Sequence, residues 1–157
     1  MNYAAVVVLL MFAFPLASVG IEHWAAHDAE PILALTGKWF LFWAAGVRLV
    51  LAGLRQYFGP RFTAKEIFGM KSDEALPVVR ELGMANMALG AVAILSLVRP
   101  DFRLPAAIAA AIFYGFAGLG HVTRGERNAK ETLVMATDLF AFAVLAAYVA
   151  FAILKNR

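Results

Sequence analysis

Five long apolar stretches limit the folds open to this chain more than any other feature of its sequence. A helix needs about 20 mostly apolar residues to cross the ~30 Å hydrocarbon core of a bilayer. Residues 3–21, 39–58, 82–98, 104–122 and 133–154 meet this requirement. Because lipid offers no hydrogen-bond partners to open backbone, segments of this kind form helices. The sequence therefore predicts an all-α, polytopic transmembrane helical bundle, with five spans and with four as the fallback, in a single domain of residues 1–157.

The composition excludes most other classes of protein. Hydrophobic residues make up 62% of the chain and charged residues 16%, and the mean hydropathy is +0.74. A water-soluble chain of this length could not bury so much apolar surface in one core. This excludes a soluble enzyme, a nucleic-acid-binding protein and a disordered tail. The chain has no cysteine, which removes disulfides, thiolate metal sites, iron–sulfur clusters and dithiol redox relays.

The first apolar stretch is predicted to be a retained helix. Met1, Asn2 and Tyr3 before it lack the Lys or Arg that the start of a cleaved signal peptide carries. Pro15 lies within the stretch and is expected to kink the helix, because proline lacks a backbone N–H group.

Lysine and arginine in the connecting segments indicate the orientation, since cytoplasmic loops carry an excess of both. With the N-terminus in the cytoplasm, five spans place eight of these loop and tail residues inside and four outside. The opposite orientation reverses that ratio. The sequence thus favours a cytoplasmic N-terminus.

The connection between the second and third stretches is the only one long enough to contain structure of its own. Thr63 and Glu66 have the spacing of a capping box, and the apolar residues after them suggest a short helix at the inner membrane surface. Ser72 has the character of a second N-cap, and Pro77 after it is tolerated in a first helical turn.

Arg48 is the most informative polar residue because it lies near the middle of the second stretch. Inserting a charge at that depth costs about 2.5–3.5 kcal/mol, so the side chain needs a partner. The alternation of the spans brings the polar residues of the later stretches to the same half of the bilayer. We therefore predict an ion pair of Arg48 with Asp138 or with Glu81. A polar cluster around this pair is expected to include Asn86, Tyr114 and His121.

Small residues recur at helical spacing on the third and fourth stretches and predict close helix packing. These stripes are Gly83, Asn86, Gly90 and Ala93; Tyr114, Gly118 and His121; and Ala107, Ala111 and Gly115.

A second polar group follows the first stretch and is predicted to lie at the outer face. His23 and His27 are four residues apart, so they share one face if the helix continues, and Glu22 is adjacent. Two histidines with a carboxylate are a ligand set that can bind a transition metal, and one histidine can bind haem. The alternative is a solvated interfacial loop in which Trp24 lies at the level of the lipid headgroups.

Several segments resemble uncharacterised small bacterial integral membrane proteins and are similar in plan to the DoxX-like group of compact four-helix membrane proteins. The resemblance covers most of residues 20–125, and its strongest element is an Arg-Glu-Leu-Gly-x-x-Asn pattern. The matching segments are 37–40 (GKWF), 43–49 (WAAGVRL), 52–56 (AGLRQ), 80–90 (RELGMANMALG) and 117–121 (AGLGH). Some DoxX-like proteins are subunits of quinone-linked oxidoreductases, so the resemblance implies a hydrophobic redox partner in a bacterial inner membrane. This chain departs from the plan in its fifth span and its lack of cysteine.

These observations predict a small integral membrane protein that binds a lipid- or quinone-like ligand at the polar cluster or serves as an accessory subunit. One alternative is a proton or ion transporter component with Arg48, Glu81 and Asp138 as a charge relay. A second is an outer-face metal or haem protein, and a third is an ion pair that only fixes helix register. Membrane lipids are the expected surroundings, and a homo-oligomer or a larger membrane complex stays open. The sequence identifies neither a cofactor nor a catalytic residue.

Overall fold

The computed structural model describes residues 2–26 and 30–155, which form six helices and no strands. Five of the helices are long and apolar enough to cross a membrane, which confirms the predicted fold class. The helices are α1 (Tyr3–Ala25), α2 (Ile32–Phe58), α3 (Phe62–Ile67), α4 (Leu76–Leu95), α5 (Pro100–Val122) and α6 (Ala129–Lys155).

The helices extend beyond the apolar stretches at several ends. Helix α2 begins at Ile32, seven residues before the predicted start, and α4 begins six residues early at Leu76. The added turns contain polar residues such as Lys38 and Arg80, which lower the local hydropathy without disturbing helical hydrogen bonding. A hydropathy pattern therefore locates the part of a helix in lipid and misses the turns beyond it.

Two of the spanning helices contain wide π-helical turns. In α1 the turn covers Leu9–Ala13, directly before Pro15. Proline donates no hydrogen bond and its ring crowds the carbonyl four residues earlier, so the helix widens where a kink was predicted. In α2 the wide turn covers Leu41–Val47 and ends at Arg48.

Glycines allow α2 and α4 to pack with their backbones almost in contact. A Cβ atom built on Gly53 would lie 2.5 Å from the carbonyl oxygen of Gly83, and one on Gly90 would lie 2.8 Å from that of Gly46. Gly83, Asn86, Gly90 and Ala93 are all buried, as expected for the predicted packing stripe. Helix α5 also packs closely on α6, where Gly118 lies against the Leu139 side chain.

The outer surface of the bundle is apolar. Ile21, Val98 and Phe116 are each at least 70% exposed, although large aliphatic and aromatic side chains are usually buried in soluble proteins. Exposed apolar side chains around the long helices are what a lipid environment requires.

The short helix α3 forms, but not through the predicted capping box. Thr63 is buried within the helix, and Glu66 binds Lys130 of α6 at 2.6 Å. The second predicted cap is wrong, because α4 begins at Leu76 and its N-cap is Ala75, which makes no side-chain capping hydrogen bond. The Ser72 hydroxyl instead accepts a hydrogen bond from the Glu74 N–H group in the turn before the helix. Pro77 lies in the first turn of α4, as predicted.

Candidate functional site

Arg48 of α2 pairs with Asp138 of α6 inside the bundle. Its Nη2 atom lies 2.9 Å from Asp138 Oδ1 and 3.3 Å from the hydroxyl oxygen of Thr137. The two charged side chains are only 11% and 6% exposed. Of the two partners considered from the sequence, the structure brings Asp138 to the arginine.

Glu81 does not join this cluster. It is exposed on α4 and forms no ion pair with the residues that the structure describes. Five residues separate Glu81 from Asn86, which corresponds to about 140° around a helix. Asn86 faces α2, so Glu81 points elsewhere although it lies in the same half of the bundle. The three-residue relay of Arg48, Glu81 and Asp138 is therefore not formed.

Tyr114 of α5 fixes the helix turn that presents Arg48. Its hydroxyl donates a hydrogen bond to the Ala44 carbonyl within the wide turn of α2. The Arg48 N–H group binds the Trp43 carbonyl instead of that of Ala44, as the wide turn requires. The guanidinium carbon of Arg48 lies 5.4 Å from the centre of the Tyr114 ring, within cation–π range.

A cavity of about 710 Å³ lies beside this pair. It occupies the end of the bundle that carries the N-terminus, α3 and the α5–α6 connection, which we call the α3 end. Five of the six residues predicted for the inner polar cluster line it: Arg48, Asn86, Tyr114, His121 and Asp138. Residues that were grouped by their expected depth in the membrane thus line one cavity.

Two buried polar atoms on the cavity-lining residues have no hydrogen-bond partner in the described structure, Arg48 Nη1 and Asn86 Oδ1. Asn86 is only 3% exposed, and its amide nitrogen donates to Gln56 Oε1 at 2.8 Å. Buried polar groups are almost always hydrogen-bonded, because leaving one unpaired costs about 1–3 kcal/mol. These two atoms therefore have hydrogen-bonding capacity that none of the described residues uses.

His121 and Glu131 form a second buried polar pair, of which His121 lines the same cavity. His121 Nδ1 lies 2.9 Å from Glu131 Oε1, and the two side chains are 8% and 3% exposed. Arg124 Nη1 lies 3.1 Å from the same carboxylate oxygen. Glu131 was not predicted from the sequence. Asn128, three residues before it, is the N-cap of α6, and its side-chain oxygen accepts a hydrogen bond from the Glu131 N–H group. An Asn-x-x-Glu pattern at a helix start was the signal that could have indicated it.

Helix α3 and Phe68, the residue that follows it, form the wall of the cavity at this end of the bundle. Phe62, Thr63, Ile67 and Phe68 contribute to the cavity wall. The Asn128 side chain donates to the Ile67 carbonyl at 3.1 Å, which ties the segment to the start of α6. The hydrogen bond from Lys130 holds the pKa of Glu66 below its usual range, so this second tie persists at neutral pH.

The cavity has an excess of positive charge. Asp138 compensates Arg48, and Glu66 compensates Lys130. Arg55 lines the cavity with its guanidinium carbon 3.8 Å from the centre of the Phe62 ring, and none of the described carboxylates lies within ion-pair distance of it. An electron-rich or anionic head group is thus favoured near this end.

The predicted outer metal site is not assembled in the described part of the chain. Glu22 accepts hydrogen bonds from Lys38 at 2.6 and 2.7 Å and from the Trp39 indole at 2.6 Å, so its carboxylate faces α2. His23 is exposed, and His27 lies outside the described residues. Among residues 2–26 and 30–155, no three His, Asp or Glu side chains are grouped as metal ligands.

Comparison with known proteins leaves the site to be interpreted from its own geometry. Neither a curated protein nor a solved structure matches the chain. A family model covers residues 1–157, and the chain therefore belongs to the family of unknown function DUF6790.

Proposed function

We propose that this protein binds a lipid- or quinone-like amphiphile in the cavity at the α3 end. The observation that carries this proposal is the cavity itself, which combines an apolar wall with a buried Arg48–Asp138 pair and two unpartnered polar atoms. A volume of about 710 Å³ lies within the usual range of small-molecule sites. An ion pair that only fixes helix register would need neither the space nor the unpaired groups.

The arrangement suits a head group with an apolar tail. The head would accept a hydrogen bond from Arg48 Nη1 and contact the amide of Asn86. The tail would lie along Val7, Leu10 and Leu49, which are buried and apolar. Leu51 lines the cavity and is 47% exposed on α2, which supports entry from the surrounding lipid.

Narrowing the cavity should remove the ligand without unfolding the bundle. Ala117 lines the cavity on α5, whereas Ala109 on the same helix is exposed. We expect Ala117→Leu to reduce binding at least tenfold and Ala109→Leu to leave it unchanged. Native mass spectrometry of the detergent-purified protein, with an absorption spectrum of the same sample, detects a co-purifying lipid, quinone or haem. Equal ligand occupancy in both variants would contradict the proposal.

The membrane is proposed to be a bacterial inner membrane, with the α3 end and the N-terminus in the cytoplasm. The five apolar helices, the loop charges and the resemblance to DoxX-like proteins support this assignment. In such a membrane the protein would act alone, as a homo-oligomer or as an accessory subunit of a larger complex.

Single cysteines can test this orientation cleanly, because the chain has none of its own. Glu74 and Asp101 are exposed acidic residues at opposite ends of the bundle. In intact cells we expect a membrane-impermeant maleimide to label the Asp101→Cys variant and not the Glu74→Cys variant. Inside-out vesicles should reverse the pattern. Labelling of Glu74→Cys in intact cells would require the opposite orientation.

A further inference from the structure

We infer that His121 and Glu131 form a proton-accepting pair that faces the cavity, and that the ligand carries a weakly acidic ring hydroxyl, as in a phenol or hydroquinone. This inference rests on the proposed function, because it concerns what the same cavity binds. It adds a chemical class of ligand and a proton transfer that the Arg48–Asp138 pair does not provide.

Glu131 orients the imidazole. The 2.9 Å contact joins Glu131 Oε1 to Nδ1 of His121, and Arg124 shares the same oxygen. A carboxylate held by an arginine stays ionised, so it accepts a hydrogen bond from Nδ1 and cannot donate one. Nδ1 is then the protonated nitrogen of the neutral ring, and Nε2 keeps its lone pair.

The ring is held in place with this lone pair free. Phe68 stacks on the imidazole with ring centres 5.7 Å apart and an angle of 14° between the planes. His121 lines the cavity, and its Nε2 atom has no hydrogen-bond partner among the residues described. A ligand hydroxyl in the cavity can donate to this atom.

The charged groups around His121 come from three directions. Helix α6 contributes Glu131, Asp138 and Lys130, and the α5–α6 connection contributes Arg124. Arg127 donates to the backbone carbonyl of His121 and does not contact the ring. On the α3 side, Glu66 is paired with Lys130. The nearest carboxylate therefore stabilises the imidazolium, while the arginines of the cavity favour an anionic ligand.

The proton balance is simple and involves no electron transfer. The ligand O–H bond breaks, the proton moves to His121 Nε2, and the electron pair stays on the ligand oxygen. The products are an imidazolium beside Glu131 and a phenolate in a cavity that also contains Arg48 and Arg55. Histidine has an unperturbed pKa near 6.5 and a phenol one near 10. Arg48 and Arg55 lower the pKa of a phenol bound beside them, whereas aliphatic alcohols are too weakly acidic for the same exchange.

A coloured phenol can test the inference. The probe is 4-nitrophenol with an octyl chain, and its methyl ether is a control that cannot ionise. The full-length protein in dodecyl maltoside micelles is titrated while the phenolate absorption is recorded. We expect the pKa of the bound dye to lie about one to three units below its value in empty micelles. The ether should displace the dye and show no spectral change.

Variants then assign the shift to the pair. His121→Gln should reduce the shift to the part that Arg48 and Arg55 cause while the dye still binds, and Glu131→Gln should reduce it by less. His23→Gln changes a histidine at the other end of the bundle and should leave the shift intact. A shift of undiminished size in His121→Gln overturns the inference.

The remaining outcomes are also decisive. A dye that does not bind contradicts the proposed cavity function itself. A dye that binds and is displaced by the ether, with an unshifted pKa, contradicts only the His121–Glu131 pair. If His121→Gln does not fold, ¹⁵N spectra of the histidine-labelled wild-type protein replace it. The Nε2 resonance of His121 should move towards the imidazolium value with the phenol and not with the ether, and equal responses to both overturn the inference.

Discussion

Arg48→Met should destabilise the protein by about 3–5 kcal/mol, because it leaves Asp138 buried without its partner. The Asp138 side chain is only 6% exposed, and its Oδ1 atom lies 2.9 Å from Nη2 of the Arg48 guanidinium. The double variant Arg48→Met/Asp138→Asn removes both charges and should recover most of this loss. Replacing a whole buried ion pair is often close to neutral, whereas breaking one is costly.

The measurement is a double-mutant cycle in the free energy of unfolding, followed in mixed detergent micelles. Glu81→Gln is the matched control, since Glu81 is exposed and outside the cluster, and it should change the free energy by less than about 0.5 kcal/mol. If the double variant is as unstable as Arg48→Met alone, then Asp138 is not the residue that compensates Arg48.

The same double variant separates a structural pair from a ligand site. A pair that only sets helix register leaves ligand binding intact once the bundle is stable again. In the proposed function, Arg48 Nη1 is a donor to the ligand head group, so the stable double variant should still lose the ligand. Binding by a stable double variant would favour the register role.

The membrane depth of each polar residue could be predicted from the sequence, but the face of the helix on which the residue lies relative to its neighbours could not. The rise per residue places Arg48, Glu81 and Asp138 in the same half of the bundle. Choosing between the two carboxylates requires the rotation of α4 and α6 about their axes, which depends on packing. The buried face of α4 is set by Gly83 and Gly90 against α2, and this face excludes Glu81.

The polar groups at the helix ends were harder to predict for a different reason. Hydropathy indicates which residues lie in lipid, and Glu131 lies in the first turn of α6, before the apolar stretch begins. Its contacts are with His121 at the end of α5 and with Arg124 of the connecting segment, and Phe68 of another connecting segment stacks on the His121 ring. The cover that α3 forms over the cavity likewise results from long-range contacts such as Asn128 to Ile67, which no local pattern encodes.

Gly53→Ala should destabilise the α2–α4 pair by about 1–3 kcal/mol, because the added methyl group meets the backbone of α4 as well as the Met87 side chain. The new Cβ atom would lie 2.5 Å from the Gly83 carbonyl oxygen and 2.9 Å from the Met87 nitrogen. Neither atom can move without shifting a whole helix. Gln56 and Asn86 lie on the same two helices, so their 2.8 Å hydrogen bond should lengthen and ligand binding should weaken as well.

Gly20→Ala is the matched control for this substitution. Gly20 also lies within a spanning helix, yet nothing is within 4 Å of a Cβ atom built there. Alanine is the better helix former of the two residues, so this variant should be neutral or slightly more stable. Thermal unfolding of both variants in the same detergent measures the difference. Equal stability of Gly53→Ala and Gly20→Ala would contradict the backbone contact between α2 and α4. It would also contradict the position of Asn86 in the cavity wall, which depends on that contact.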